Sequence, residues 1–284
     1  VPASIRLEGY ALHRGIVTAV TLSRRAGPIT FERDGYGAAL ERLEVRRSDA
    51  GVALTDEGNF EVDLVEHLLA AFGGLGIRQG VTVIVEGAEL PILDGGARAF
   101  ANALRGLELP ADAYLGPELV VSRAAVLTSG RSRYAFEIGE ETNLSVETVF
   151  DHPALGTERA EWDGSTDAFH DVIAPARTFG FRRDARELWA RGRAALAAKR
   201  DDVAATRAFA RAVVVFDETG AVAVPGEPPP SPGEVIRHKL LDLIGDFALY
   251  GGPPRGRVFA ELPGHTASHR IIREALSLGI LSRR

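Results

Sequence analysis

The chain has 284 residues, 45% apolar and 25% charged, the proportions of a globular protein with a sizeable core. Its formal net charge of -6 disfavours non-specific binding to nucleic acid, and no apolar run approaches the roughly 18 residues that span a bilayer. It has no cysteine, which excludes disulfides, iron–sulfur clusters and thiolate zinc sites, so any metal must be held by nitrogen and oxygen.

The first fifteen residues mix charged and apolar side chains without a continuous hydrophobic stretch, so no retained signal peptide is expected. Short strands follow in "SIRLEGYAL", "IVTAVTLSRR", "PITFERDG" and "LERLEVRRS". A helix is predicted from Asp63 in "DLVEHLLAAFGGLG", then a strand "VTVIVEG", a turn "PILDGG" and a helix "ARAFANALRGL". The turn-rich segment from Glu108 to Leu119 is the expected boundary between domains spanning residues 1–113 and 114–284. Strands resume in "LVVSRAAVL", "SRYAFEIG" and "LSVETVF", and a helix is predicted near "AFHDVIAPARTFGF". An insertion-like stretch occupies residues 182–224, and its arginines read as a solvated helix surface or as a site for an anionic substrate group.

Next comes the helix "SPGEVIRHKLLDLIGDFALYGG". Ser231, Pro232 and Glu234 form a capping-box start, and Gly251 and Gly252 stop it. Leu240, Leu241, Ile244, Phe247 and Ala248 supply its core stripe. A strand "GRVFAELPG" and a helix "SHRIIREALSLG" close the chain. The two halves parallel each other, because "VEHLLAAFGGLG", "VTVIVEG" and "ARAFANALRGL" echo "IRHKLLDLIGDFALYGG", "GRVFAELPG" and "SHRIIREALSLG". A duplicated α+β unit accounts for the pattern, and face-to-face packing of the copies would bring His67 and His238 together.

His238 and Asp242 lie four residues apart and project from one helix face. With His67 they offer two imidazoles and one carboxylate, a donor set suited to zinc with one position left for water. Such a position lowers the pKa of bound water to about 7. Glu66 reads either as the end of an Asp63-x-x-Glu66 capping box or as a general base beside a ligand histidine. His265, in "LPGHTASH", reads as a loop histidine or as a proton donor to a leaving amine. His265 and His269 are also four apart, but no carboxylate clusters with them in the sequence, which argues against a second metal pair. Thr178, in "ARTFGF", reads as part of a helix end packing its aromatics or as a donor to a developing oxyanion. His13, His152 and His170 carry no comparable context.

Together, "ALHRG", "VEHLLAAFGGLGI", "ELPILDGGARAF", "FDHPALG", "ARTFGF", "RHKLLDLIGD" and "GHTASH" resemble, in order and through nearly the whole chain, the zinc-dependent UDP-3-O-acyl-N-acetylglucosamine deacetylases of lipid A biosynthesis. The resemblance implies an α+β fold of two similar layered β-α-α-β domains packed face to face, each with an insert, and an active site in the cleft between them. It implies His67, His238 and Asp242 as zinc ligands, with ferrous iron the alternative metal. Glu66 would be the general base, His265 the general acid or electrostatic partner, and Thr178 the group polarising the scissile carbonyl. Lys239 and Phe179 would line the substrate site. A cytoplasmic monomer acting on an acylated sugar nucleotide is expected, with no nucleic-acid partner and no transmembrane segment. The alternatives are a paralogue acting on another N-acylated sugar or amine, and a non-catalytic binding protein. Three departures stand out: "LAAKRDDVAATRAFARAVVVFDE" lacks the family's glycines and polar pair, Gly96 stands where serine is usual, and "YAFEIGEETNLSV" lacks a lysine associated with substrate phosphate.

Overall fold

Strand alternation and two buried helices set the architecture. The structure is a computed structural model that describes residues 2–47, 51–56, 60–182 and 203–284. In the first half, β1 (Ser4–Tyr10) and β2 (Val17–Pro28) form one hairpin, and β3 (Thr30–Arg33) and β4 (Tyr36–Ala39) another. Three short strands follow: β5 (Glu44–Arg47), β6 (Ala53–Asp56) and β7 (Phe60–Asp63). Then come α1 (Glu66–Leu75), β8 (Gln79–Glu86) and α2 (Arg98–Gly106). Strand β8 sits mid-sheet, antiparallel to β2 and parallel to β3, giving the order β1-β2-β8-β3-β4.

The second half repeats this plan. After β9 (Leu119–Val121), β10 (Ala125–Ser129) and β11 (Ser132–Glu137) form a hairpin, as do β12 (Thr142–Val149) and β13 (Thr157–Trp162). Period-two patterning is plain in β11, where Ser132, Tyr134 and Phe136 are buried while Arg133 and Glu137 are exposed. A short helical stretch, α3 (Thr166–Ala168) continuing as a π-turn at Phe169–Ile173, leads into β14 (Thr178–Phe181). Beyond it lie α4 (Val203–Ala212), β15 (Val213–Phe216), α5 (Glu234–Ala248), β16 (Gly256–Glu261), α6 (His265–Ser277) and β17 (Leu281–Arg283). Strand β16 is antiparallel to β11 and parallel to β12, in the order β10-β11-β16-β12-β13. Hairpin, hairpin, helix, central strand, helix is therefore the topology of both halves. Each half carries its extra elements at the same point, β5–β7 in the first and β14–α4–β15 in the second. This is the expected α+β class with two similar layers and an insert in each.

The halves meet through α1 and α5. Every residue of α1 is buried, which its sequence "EHLLAAFGGL" allows because it is apolar almost all round. Glycines bring the two backbones together. A Cβ at Gly245 would stand 2.5 Å from the Glu66 carbonyl oxygen, and one at Gly73 would stand 3.0 Å from that of Ile244. This close crossing places His67 beside His238, with ring centroids 5.1 Å apart.

Several local expectations are corrected. Asp63 ends β7 rather than capping a helix, and α1 begins at Glu66 after Val65, with no side-chain cap. The N-cap of α5 is Gly233, in the left-handed region at φ 69°, not Ser231, although the Glu234 carboxylate does accept the Ser231 N–H at 2.8 Å. The stripe read on α5 is too narrow, since Val235, Ile236, Leu243 and Asp246 are buried as well. "TFGF" is strand β14, parallel to β15, rather than a helix end, because its partner strand lies too far along the chain for local pattern to show. "LVVSRAAVL" splits into β9, which pairs with β17, and β10, which pairs with β11. Of the arginine-rich stretch, residues 183–202 lie outside the described residues.

Candidate active site

Three donors from α1 and α5 converge. One donor atom each from His67, His238 and Asp242 lie within 4.8 Å of one another. Both imidazoles are buried, 3% exposed. His238 donates its Nδ1–H to the Ala176 carbonyl at 2.9 Å, which fixes the tautomer and leaves Nε2 with its lone pair, 3.5 Å from Asp242 Oδ1. Burial, with the neighbouring His238 and His265, holds His67 well below the ordinary histidine value, and burial lowers His238 despite Asp242. Both rings are thus neutral, the form that coordinates a cation. Asp242 Oδ1 is buried with no hydrogen-bond partner among the described residues. A buried carboxylate oxygen is costly to leave unpaired, so this orphan, 3.5 Å from the neutral His238 ring and in a group with His67, fits a divalent cation better than an empty core.

Glu66 is buried beside this trio. Its Oε2 accepts the Val52 N–H at 2.9 Å, from the insert of the first half. Burial raises its pKa, although His265 and the Val52 N–H pull the other way. Gly51 keeps room for it, because a Cβ there would stand 2.8 Å from Oε1. Of the two readings of Glu66, the capping box is absent, and its buried carboxylate is held by the Val52 N–H instead.

His265 is the first residue of α6, not a loop histidine. Its Nδ1 donates to Asp246 Oδ1 at 2.7 Å, and its Nε2 lies 3.9 Å from Asp242 Oδ1. Burial favours the neutral ring, but Asp246, Asp242 and Glu66 outweigh it and push His265 up to about 10. Asp246 is the member of this buried cluster that the sequence reading does not single out. It lies four residues beyond Asp242 on the face already singled out, so a His-x-x-x-Asp-x-x-x-Asp spacing was there to be seen. It also supplies the carboxylate that the sequence withheld from His265 and His269.

The wall of the site comes from β14. Just before that strand the Ala176 carbonyl accepts the hydrogen bond from His238 Nδ1; within it Phe179 packs edge-on to the His238 ring at 6.2 Å, and Lys239 Nζ of α5 lies 5.8 Å from the Phe179 centroid. Thr178 lies between Ala176 and Phe179, and its N–H donates to the Gly95 carbonyl at 2.7 Å, tying the "PILDGG" turn of one half to the wall of the other. At Gly96 a Cβ would stand 2.4 Å from the Ala174 carbonyl oxygen, so the backbone there approaches too closely for a side chain. Arg177 donates from Nε to Glu234 Oε1 at 2.7 Å, clamping β14 to the first turn of α5. The remaining histidines stay apart. His13 pairs with Glu89, His170 with Asn102 and Asp171, and His152 stacks on Phe181 with its Nε2 2.5 Å from the Asp217 carbonyl.

Comparison with known proteins agrees along the chain. The family model for UDP-3-O-acyl N-acetylglycosamine deacetylases matches residues 1–277. A UDP-3-O-acyl-N-acetylglucosamine deacetylase of Myxococcus xanthus is 30% identical over 283 residues, covering 95% of this chain and 83% of the relative. One from Pseudomonas entomophila is 30% identical over 96% of this chain and 88% of its own length. One from Brucella melitensis is 32% identical over 96% and 93%. The chain belongs to the UDP-3-O-acyl N-acetylglycosamine deacetylase family and is a hydrolase.

Proposed function

We propose that the protein is a zinc-dependent deacetylase that releases acetate from a UDP-3-O-acyl-N-acetylglucosamine-type sugar nucleotide, the activity named for its relatives. The observation that carries the metal is the buried Asp242 Oδ1, without a hydrogen-bond partner among the described residues, in a group with His67 and His238. Two imidazole nitrogens and one carboxylate oxygen suit zinc, with ferrous iron the alternative. When bound, such a cation supplies Lewis acidity to the scissile carbonyl and makes water acidic enough to react at neutral pH.

The chain's own groups do the rest. Glu66, anchored at Oε2 by Val52, takes a proton from the attacking water. The water oxygen bonds to the acetamide carbon, and the Thr178 hydroxyl donates to the oxyanion. His265, kept cationic by Asp246, gives a proton to the nitrogen as the C–N bond breaks, yielding acetate and a free amine. Lys239 and Phe179 border the substrate.

Acetate release from UDP-sugars with and without a 3-O-acyl chain tests this reading. Turnover is expected with the 3-O-acylated N-acetylglucosamine nucleotide. Turnover only with another N-acylated sugar would indicate a paralogue, and none with any would indicate a binding protein. Against pH, kcat/KM should be bell-shaped. It rises as Glu66, raised by burial, deprotonates, and it falls as His265 loses its proton. The added positive charge of a bound cation moves both limbs to lower pH and places the falling one below about 10. A flat profile would remove both residues from these roles.

A further inference from the structure

Behind His265 lie two more polar side chains, the buried His269 and the half-buried Tyr250, that the reaction above does not use. His269 is one turn further along α6 and Tyr250 follows the end of α5. His269 is 1% exposed, as is Asp246. Its Nε2 stands 3.2 Å from Asp246 Oδ1, the same oxygen that accepts from His265 Nδ1 at 2.7 Å. Its Nδ1 is 3.2 Å from the Tyr250 hydroxyl. The four groups form one line: Tyr250, His269, Asp246, His265.

The proton inventory orders this line. A carboxylate only accepts, so the imidazole nitrogen facing it carries the hydrogen and the other nitrogen of a neutral ring accepts. With the hydrogen on Nε2 in the tautomer that faces Asp246, Nδ1 accepts from the Tyr250 hydroxyl, which burial keeps protonated, with a pKa pushed up to about 12. The His269 contact to Asp246 is an ion-pair contact at 3.2 Å rather than a full hydrogen bond, and among the described residues neither His269 Nε2 nor Asp246 Oδ2 has a hydrogen-bond partner. Asp246 is thus held from two sides through a single oxygen.

A second metal is the rival use of Asp246, His265 and His269, whose donor atoms lie within 4.8 Å of one another. The distances favour hydrogen bonding. Two donors on one tetrahedral zinc stand about 3.3 Å apart, whereas His265 Nδ1 and Asp246 Oδ1 are 2.7 Å apart.

We propose that His269, backed by Tyr250, is a positioning residue for the deacetylation assigned above: it fixes Asp246 so that His265 presents Nε2 toward Asp242 and the reacting atoms. Without His269 the Asp246 carboxylate is free to rotate, and His265 loses its fixed direction while the metal trio stays intact.

His269→Leu, His269→Gln and Tyr250→Phe test this. His269→Leu should lower kcat about 10- to 100-fold with KM within about twofold and one metal ion per chain retained. His269→Gln, whose amide reaches as far as Nε2, should restore kcat to within about fivefold, and Tyr250→Phe should cost only a few-fold. Independently of turnover, proton NMR of 15N-histidine-labelled protein should show a hydrogen-bonded His265 Nδ1–H signal in the unmodified chain and His269→Gln. That signal should be lost or broadened in His269→Leu. An unchanged kcat, or an unchanged His265 signal, in His269→Leu would overturn the proposal. A second zinc ion per chain that His269→Leu abolishes would also overturn it, in favour of a metal site. If the unmodified protein releases no acetate, the functional reading fails, and the His265 signal alone still decides the positioning role.

Discussion

Glu66→Gln is expected to slow acetate release by about 10²- to 10⁴-fold, the usual worth of a general base, while leaving one metal ion per chain. The amide keeps an oxygen that can accept the Val52 N–H, so the local fold has no reason to change. What it loses is the ability to take a proton. Burial raises the pKa of the native carboxylate, which makes it a better base than an exposed glutamate, and only ionisation near working pH turns that to use. Metal content by atomic absorption beside single-turnover acetate release separates the two roles of this residue. Loss of metal in the variant would assign Glu66 to building the site, and activity within tenfold of the unmodified protein would remove it from proton transfer.

Gly245→Ala should damage the fold and the site together. Replacing a helical glycine by alanine ordinarily gains about 1 kcal/mol. Here the new methyl would stand 2.5 Å from the Glu66 carbonyl oxygen and 3.1 Å from the Ala70 nitrogen, both backbone atoms of α1. Overpacking against backbone costs about 1–3 kcal/mol and overrides the propensity gain. Relief requires α1 and α5 to separate, and that moves His67 away from His238 and Asp242. We expect a lower melting temperature and metal affinity reduced tenfold or more, measured by chelator competition. Gly180→Ala, where the methyl meets open space, should change stability by less than about 0.5 kcal/mol. Unchanged metal affinity in Gly245→Ala would show that the helix crossing does not set the donor geometry.

Local spacing carried much of the site. His238 and Asp242 share a face because a helix places residues four apart together, and the internal repeat pointed to His67 as their partner. The repeat also anticipated two similar layers, since each half gives a helix, a central strand and a helix after two hairpins. Long-range contacts escaped. Nothing in "DLVEHLL" shows that Val52, 14 residues earlier, holds the Glu66 carboxylate, so a capping box looked reasonable. The pairing of Asp246 with His265 and His269 joins two helices whose packing no local pattern reports. Strand β14 reads as a helix end in the sequence for the same reason, because its ladder partner begins at Val213. Gly96 illustrates the reverse, a residue singled out in the sequence whose close approach to the Ala174 carbonyl only the fold supplies.

The most direct test is a zinc titration of the metal-stripped protein, following acetate release from the 3-O-acylated sugar nucleotide. The rate should start near zero, rise linearly and level off at one zinc per chain. Full activity without metal, or a break at two ions per chain, would contradict a single catalytic cation held by His67, His238 and Asp242.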